Sequence, residues 1–198
     1  EGIIYDMFDE EKHVKNIREF FHLLINKNRY VSCDYGTQNA TVFLLWNKGT
    51  DGVWYCTREY YYSGRDKGKQ KTDAEYADDL KEWLDGTKIK AIIVDPSAAS
   101  FIAELRKRGY KVLKAKNDVL DGIRLVGTLL NLCKICFEKS CVNTIGEFAS
   151  YIWDEKALEH GEDKPVKQFD HGCDAARYFC STILGNRVAR MKKAKIRR

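Results

Sequence analysis

The sequence predicts an α/β fold in which helices cover a mixed β-sheet. Three strand-like segments follow one another near the N-terminus, and buried strand-like segments then alternate with helical patterns. The chain has 198 residues, of which 44% are hydrophobic, so it is long and apolar enough for one domain with a core. No apolar run approaches the ~20 residues that a membrane-spanning helix needs.

The predicted elements are bounded by turn and capping signals. Turn residues surround Gly36, hairpin signals fill residues 47–52, and Thr72 or Asp73 is placed to cap a helix. The expected strands span residues 30–34, 40–47, 53–62, 89–94, 110–113 and 135–137. The expected helices span residues 73–84, 98–108, 119–132, 142–153 and 170–184, with polar loops at 63–72 and 154–168.

The chain divides into three predicted segments. Residues 1–29 form a linker and an N-terminal helix, because apolar residues between Val14 and Ile25 recur at helical spacing. Residues 30–186 form the main domain. Residues 187–198 form a tail with seven Lys or Arg and no acid, which either binds phosphates or is a solvated end. Without the tail the chain carries 27 basic and 29 acidic residues, so it does not present a broad basic surface.

Three acidic residues occupy positions where α/β folds place their chemistry. Asp34 ends the first predicted strand, and Asp95 ends the fourth, after the apolar residues 91–94. Because sites form beyond the carboxyl ends of parallel strands, these two acids can face one another. Asp174 lies in the last predicted helix, and His171, three residues earlier, shares a helix face with it.

Converging carboxylates indicate a metal site. They repel one another and are costly to bury unpaired, whereas Mg²⁺ and Mn²⁺ bind oxygen ligands, and Mn²⁺ also accepts imidazole. Two such ions ~3.5–4 Å apart can activate water and stabilise the leaving oxygen of a phosphodiester. Plainer interpretations stay open: Asp95, before Pro96, as a turn residue, Asp170 as a helix N-cap, and His171 as a polar residue at a helix start.

Several motifs resemble the nuclease domain of the terminase large subunit of tailed bacteriophages. The most specific is DHGCDAARY at residues 170–178, and the resemblance covers nearly the whole chain. The other matching segments are DYGT at 34–37, IIVDPSA at 92–98, VLDGI at 119–123 and KPVK at 164–167.

The resemblance implies a ribonuclease H-like fold and a metal-dependent endonuclease that cuts concatemeric viral DNA during genome packaging. It implies Asp34, Asp95 and Asp174 as the catalytic, metal-binding triad, with His171 as a further ligand or near neighbour of two Mn²⁺ or Mg²⁺ ions. In this assignment Asp34 bridges both ions, Asp95 holds one, and Asp174 with His171 holds the other. The implied partners are double-stranded DNA, the terminase ATPase domain, the small terminase subunit and the portal. The implied location is the cytoplasm of the infected bacterial host, with no membrane involved.

Other polar residues have two interpretations each. Glu59 either points at the metals or is a solvated strand residue, and Asp121 either shapes the site or pairs with the helix dipole. Residues 154–168 are interpreted as a mobile hairpin that controls DNA access. Lys and Arg at 65–71, Lys164 and Lys167 either contact phosphates or are solvated.

Three other functions remain open at this point. A resolvase or transposase core would share the chemistry and differ in the DNA that it cuts. An actin-like or sugar-kinase ATPase lobe would explain residues 34–37, but the chain lacks a second lobe, and no G-x-x-x-x-G-K-[ST] motif is present. A non-catalytic module would bind DNA with salt-dependent affinity and cut nothing.

Overall fold

The fold is built on a seven-stranded sheet. The computed structural model describes residues 2–36 and 39–186; Thr37 of the DYGT motif and the basic tail at 187–198 lie outside the described residues. No helix within those ranges is long and apolar enough to cross a bilayer. The strands are β1 (Val14–Lys15), β2 (Leu24–Asp34), β3 (Ala40–Gly49), β4 (Trp54–Ser63), β5 (Ala91–Val94), β6 (Val112–Lys114) and β7 (Ile135–Glu138).

The order of strands across the sheet is β1-β7-β4-β3-β2-β5-β6. Strand β3 pairs antiparallel with β2 and β4, whereas every other neighbouring pair of these seven strands is parallel. Strands β2, β4 and β5 therefore all end at one edge of the sheet. Since parallel strands place their functional groups beyond their carboxyl ends, this edge is where a site is expected.

Helices cover both faces of the sheet. The helices are α1 (Glu10–His13), α2 (Ile17–Phe20), α3 (Gly64–Lys67), α4 (Asp73–Leu84), α5 (Ala99–Lys107), α6 (Val119–Asn131), α7 (Val142–Ser150), α8 (Glu155–Glu159) and α9 (His171–Phe179). Helices α4 and α5 pack on one face, against Val31, Phe43 and Ile92 among others. Helices α6, α7 and α9 pack on the other face, where Trp46 stacks on Phe179 with ring centroids 4.4 Å apart.

The prediction of a mixed sheet flanked by helices is confirmed, and α4 spans the residues that were predicted for it. Thr72 accepts a hydrogen bond from the backbone of Glu75, whose carboxylate in turn accepts from the backbone of Thr72. This capping box satisfies two helix-terminal donors at once, which explains why the sequence signal was reliable.

The prediction of one helix between Val14 and Ile25 is wrong. Residues 14–15 form β1, which pairs in parallel with β7, and β2 already begins at Leu24, paired with Gly49 of β3. Only α2 and a short 3₁₀ turn, Phe21–Leu23, lie between them. The apolar spacing that suggests a helix here serves two separate strand pairings, and the boundary predicted at residue 30 falls inside β2.

Candidate metal centre

The sheet register brings Asp34 and Asp95 to the same edge and the same face. Cys33 of β2 is paired with Val94 of β5, and both side chains lie in the core beneath α4 and α5. Because successive side chains of a strand point to opposite faces, the next residues, Asp34 and Asp95, point towards α9. The expectation that these two acids share an edge of the sheet therefore agrees with the geometry.

Helix α9 begins with the second half of the site. His171 is its first residue, and the imidazole Nδ1 lies 2.8 Å from Asp34 Oδ2. Asp174 lies one turn further on and is buried, and the same cavity, with a volume of about 690 Å³, is lined by Asp34, Asp170, His171 and Asp174. Asp95 does not line this cavity, so the structure brings three of the four predicted site residues together and leaves the fourth beside them.

Asp174 is held by two protein cations. Its Oδ1 accepts hydrogen bonds from Arg177 Nε at 3.2 Å and Nη2 at 2.8 Å, and its Oδ2 lies 3.3 Å from Lys167 Nζ. The other terminal nitrogen of Arg177 donates to the backbone carbonyls of Asn117 and Asp118 at 2.8 and 3.1 Å. Arg177 is buried, so it fixes Asp174 against the start of α6.

Asp95 has its own set of donors. Its Oδ1 accepts from the backbone of Ser97 at 2.8 Å, and its Oδ2 accepts from Asn117 Nδ2 at 3.1 Å. Burial alone would raise the pKa of Asp95, but the hydrogen bonds from Ser97, Asn117 and Tyr178 outweigh it and lower the pKa. Asn117 thus links Asp95 to the Arg177 that holds Asp174, a connection that the sequence did not reveal.

Asp34 and His171 form a coupled pair. Burial raises the pKa of Asp34 to about 6, and the negative charge of Asp174 adds to the increase, while the hydrogen bond from His171 opposes it. Burial lowers the pKa of His171, but its hydrogen bond with Asp34 and the charge of Asp34 outweigh this and raise it. A buried carboxylate that is costly to ionise, close to other acids, is the electrostatic condition that a bound cation would relieve.

Glu147 of α7 was not recognised in the sequence and fixes the start of α9. Its Oε2 accepts from the backbone N–H groups of Gly172 and Cys173, and its Oε1 accepts from Tyr61 Oη at 2.7 Å. These contacts satisfy orphan donors in the first turn of the helix that carries His171 and Asp174. The sequence signal was weak: a glutamate near Ile145 and Phe148 in a short, mainly uncharged helix.

Of the weaker candidates, Glu59 and Asp121 lie away from the cavity, whereas Asp170 lines it. Glu59 neither points into the cavity nor is merely solvated, because it accepts hydrogen bonds from the backbones of Asn143 and Thr144 and so caps α7. Asp121 is on the surface, with its side chain 81% exposed and 3.3 Å from Arg124. Asp170 does occupy the predicted N-cap position of α9. Its side chain makes no capping hydrogen bond, so the capping role expected of it is wrong.

The loop predictions have mixed outcomes. Residues 154–168 do form a hairpin-like excursion, closed by a bridge between Trp153 and Pro165, and α8 lies within it. Residues 64–67 of the loop after β4 form α3, and Arg65 reaches the rim of the acidic cavity. Lys164 pairs with Glu162 on the surface, whereas Lys167 enters the cavity.

The donor set fits a divalent ion in kind. Mn²⁺ accepts both carboxylate oxygens and an imidazole as ligands, whereas Mg²⁺ prefers the carboxylate oxygens. As the side chains stand, no three His, Cys, Asp or Glu residues within 2–36 and 39–186 are grouped so that they could hold a metal ion. Asp174 is instead engaged by Lys167 and Arg177, and Asp95 by Ser97 and Asn117.

Comparison with known proteins identifies the class. No family model matches the chain. The fold is similar to the large terminase of the thermophilic bacteriophage D6E, with a TM-score of 0.86 and 56% identity over 92% of this chain and 46% of that one. It is also similar to the nuclease domain of the large terminase g2p of bacteriophage SPP1, a structure with bound Mn, at a TM-score of 0.57 and 17% identity over 85% of this chain and 94% of that one. The chain therefore has the ribonuclease H-like fold of a terminase nuclease domain.

The particular relatives are large terminase subunits. The chain is 29% identical over 193 residues to the terminase large subunit of Escherichia phage T5. The aligned region covers 92% of this chain and 42% of that protein. The chain thus spans a little under half the length of these two relatives. The similarity to these large terminase subunits extends over nearly the whole of this chain.

Proposed function

We propose that the chain is a divalent-metal-dependent DNA endonuclease that cuts viral DNA during genome packaging. The observation that carries this proposal is the convergence of Asp34, His171 and Asp174 on one cavity, with Asp95 at the end of the adjacent strand. The homology to large terminase subunits supports the substrate, and the manganese in the SPP1 nuclease domain supports the metal.

Four residues would hold the metal ions, and three others would position them. Asp34, Asp95, Asp174 and His171 would hold two Mn²⁺ or Mg²⁺ ions. When bound, these ions activate water and stabilise the departing oxygen of the phosphodiester. Arg177 keeps Asp174 oriented, Asn117 keeps Asp95 oriented, and Glu147 holds the helix start that carries His171.

The surroundings of the cavity suit a phosphodiester backbone. Arg65 lies at the rim of the acidic cavity and is placed to meet a phosphate near the one that is cut. In the complete packaging assembly, we propose that cutting is coupled to the terminase ATPase domain, the small subunit and the portal. These partners follow from the homology alone.

Cleavage of supercoiled plasmid DNA in Mn²⁺ or Mg²⁺ tests the proposal. Asp34→Asn, Asp95→Asn and Asp174→Asn should each reduce cleavage to background, because an amide is a poor ligand for a hard cation. Asp78→Asn is the matched control, since Asp78 is 69% exposed on α4 and pairs with Arg108. Thermal unfolding of each variant separates loss of ligands from loss of fold.

Two results of these cleavage assays would contradict the proposal or change it. If one of the three variants cut as fast as the wild type, that residue would not be a ligand. If the wild type cut four-way junctions much faster than linear duplex, the chain would be a resolvase-type nuclease with the same chemistry.

A further inference from the structure

Lys167 places a positive charge inside the acidic cavity. Its Nζ lies 3.2 Å from Asp170 Oδ2 and 3.3 Å from Asp174 Oδ2. The two carboxylates are 6% and 10% exposed, whereas the lysine side chain is 59% exposed. One ammonium group thus bridges two buried acids, entering from the solvent side.

Among residues 2–36 and 39–186, no hydrogen bond that the side chain of Asp170 accepts from the helix explains its burial. Asp170 stands at the N-cap of α9, yet its side chain accepts no hydrogen bond from the helix; the backbone carbonyl of Asp170 accepts from Asp174 instead. Leaving an ionised carboxylate buried is costly unless a cation compensates it. Within the described ranges, the ion pair of Asp170 is with Lys167.

The two cations at Asp174 differ in how firmly they are held. The side chain of Arg177 is 3% exposed and donates to two backbone carbonyls besides Asp174, so it belongs to the frame of the site. The side chain of Lys167 reaches the acids from the segment after Pro165 on a flexible, mostly exposed stem. Lys167 can therefore leave without uncovering the core, and Arg177 cannot.

We propose that Lys167 is the exchangeable counter-ion of the metal centre, and that a divalent ion binds by displacing its ammonium group from Asp170 and Asp174. This inference rests on the proposed function, because it takes Asp174 as a metal ligand. An ammonium group and a divalent cation repel each other and compete for the same carboxylate oxygen, Asp174 Oδ2. Lys167 thus compensates the acids when no ion is bound and weakens the apparent affinity for the ion.

Mn²⁺ binding without DNA tests the exchange. The probe is Mn²⁺ itself, titrated into the protein while electron paramagnetic resonance reports the unbound ion. Lys167→Met keeps the apolar stem and removes the charge, so it should bind Mn²⁺ roughly tenfold more tightly if the ammonium occupies the acids about nine-tenths of the time. Lys167→Arg keeps a competing charge and should stay near the wild type.

Lys164→Met is the matched control. Lys164 lies three residues away in the same segment, pairs with Glu162 on the surface and is 65% exposed. Its variant should bind Mn²⁺ as the wild type does. Thermal unfolding gives a second measure: Mn²⁺ should raise the Tm of Lys167→Met more than that of the wild type, because tighter binding to the folded state stabilises it more.

The possible results separate this inference from the proposed function. Equal or weaker Mn²⁺ binding by Lys167→Met than by the wild type would overturn the counter-ion role, while leaving cleavage by the three acids intact. Failure of the wild type to bind Mn²⁺ or Mg²⁺ at all would overturn the metal centre itself, and the counter-ion role with it.

Discussion

His171 would add a nitrogen ligand to the proposed metal centre, whose other candidate ligands are carboxylates. Its Nδ1 lies 2.8 Å from Asp34, so it is placed either to bind an ion or to orient the acid that does. Removal of even an outer partner of a metal ligand lowers activity by roughly 10–100-fold. We therefore expect His171→Ala to lower DNA cleavage at least to that extent, and to lower it more with Mn²⁺ than with Mg²⁺, since Mn²⁺ accepts imidazole more readily.

The measurement is the rate of plasmid cleavage against the concentration of each metal. His160→Ala is the control, because His160 lies on an exposed turn where its Nδ1 contacts the carbonyl of Lys156. Unchanged rates and unchanged metal preference in His171→Ala would make His171 a scaffold residue.

Single residues of the candidate site were predictable where they end a strand or share a helix face. Asp34 and Asp95 follow apolar strands, and the spacing of His171 and Asp174 puts them on one helix face. Asn117 had no such signal, because its two partners lie 22 and 60 positions away in the chain. Contacts over that separation depend on the finished fold, and a single sequence does not show them.

The crossing of α7 and α9 sets the position of the site at the level of elements. A Cβ added at Gly172 would lie 2.5 Å from Thr144 Oγ1 and 2.9 Å from the backbone Cα of Thr144. Only glycine allows this approach, which also lets Glu147 reach the first turn of α9. A larger residue must push α9 away from α7 and move His171 and Asp174 with it.

Gly172→Ala should therefore destabilise the fold by about 1–3 kcal/mol, as overpacking does, and reduce cleavage by more than the loss of folded protein explains. Gly146→Ala is a control in α7, because a Cβ at Gly146 meets no atom within 4 Å. That change should stabilise the helix by about 0.5–1 kcal/mol, since alanine has the higher helix propensity. Urea unfolding and plasmid cleavage measure both variants. If Gly172→Ala changed neither the free energy of unfolding nor the cleavage rate, α7 and α9 could separate without cost.

Element prediction succeeded where capping and periodicity agreed and failed where distant pairing decided the structure. Helix α4 has both a capping box and an apolar face, and its predicted bounds match. Strand β1 is only two residues long and forms by pairing with β7, which is distant in the chain. The sequence shows only the apolar spacing around β1, and that spacing predicted a helix. Helix α9 was predicted as one run to residue 184 but passes into a π-helical turn, Cys180–Leu184, after Phe179.

The burial of Glu147 predicts that the stability of the whole molecule depends on pH. Burial raises the pKa of this carboxyl to about 7, against the opposing hydrogen bonds from Tyr61, Gly172 and Cys173 and the charge of His171. A raised pKa means that the folded chain holds the proton more tightly than the unfolded chain, for which the ordinary value is 4.5. Its stabilising contribution is complete below pH 4.5 and is lost as the pH rises through about 7.

Glu147→Gln should remove that loss. The neutral amide can still accept from the start of α9 and face Tyr61, so the variant should lie within about 1 kcal/mol of the wild type at pH 5 and exceed it at pH 8 by on the order of 3 kcal/mol. Urea unfolding at pH 5, 6, 7 and 8 gives the free energies of unfolding for both proteins, and the raised pKa of Asp34 is common to both. Asp121→Asn, at an exposed carboxylate, should keep the pH dependence of the wild type. If the curves for Glu147→Gln and the wild type stayed parallel over this range, Glu147 would be ionised in the folded chain at little cost, and the clamp on α9 would be an ordinary carboxylate cap.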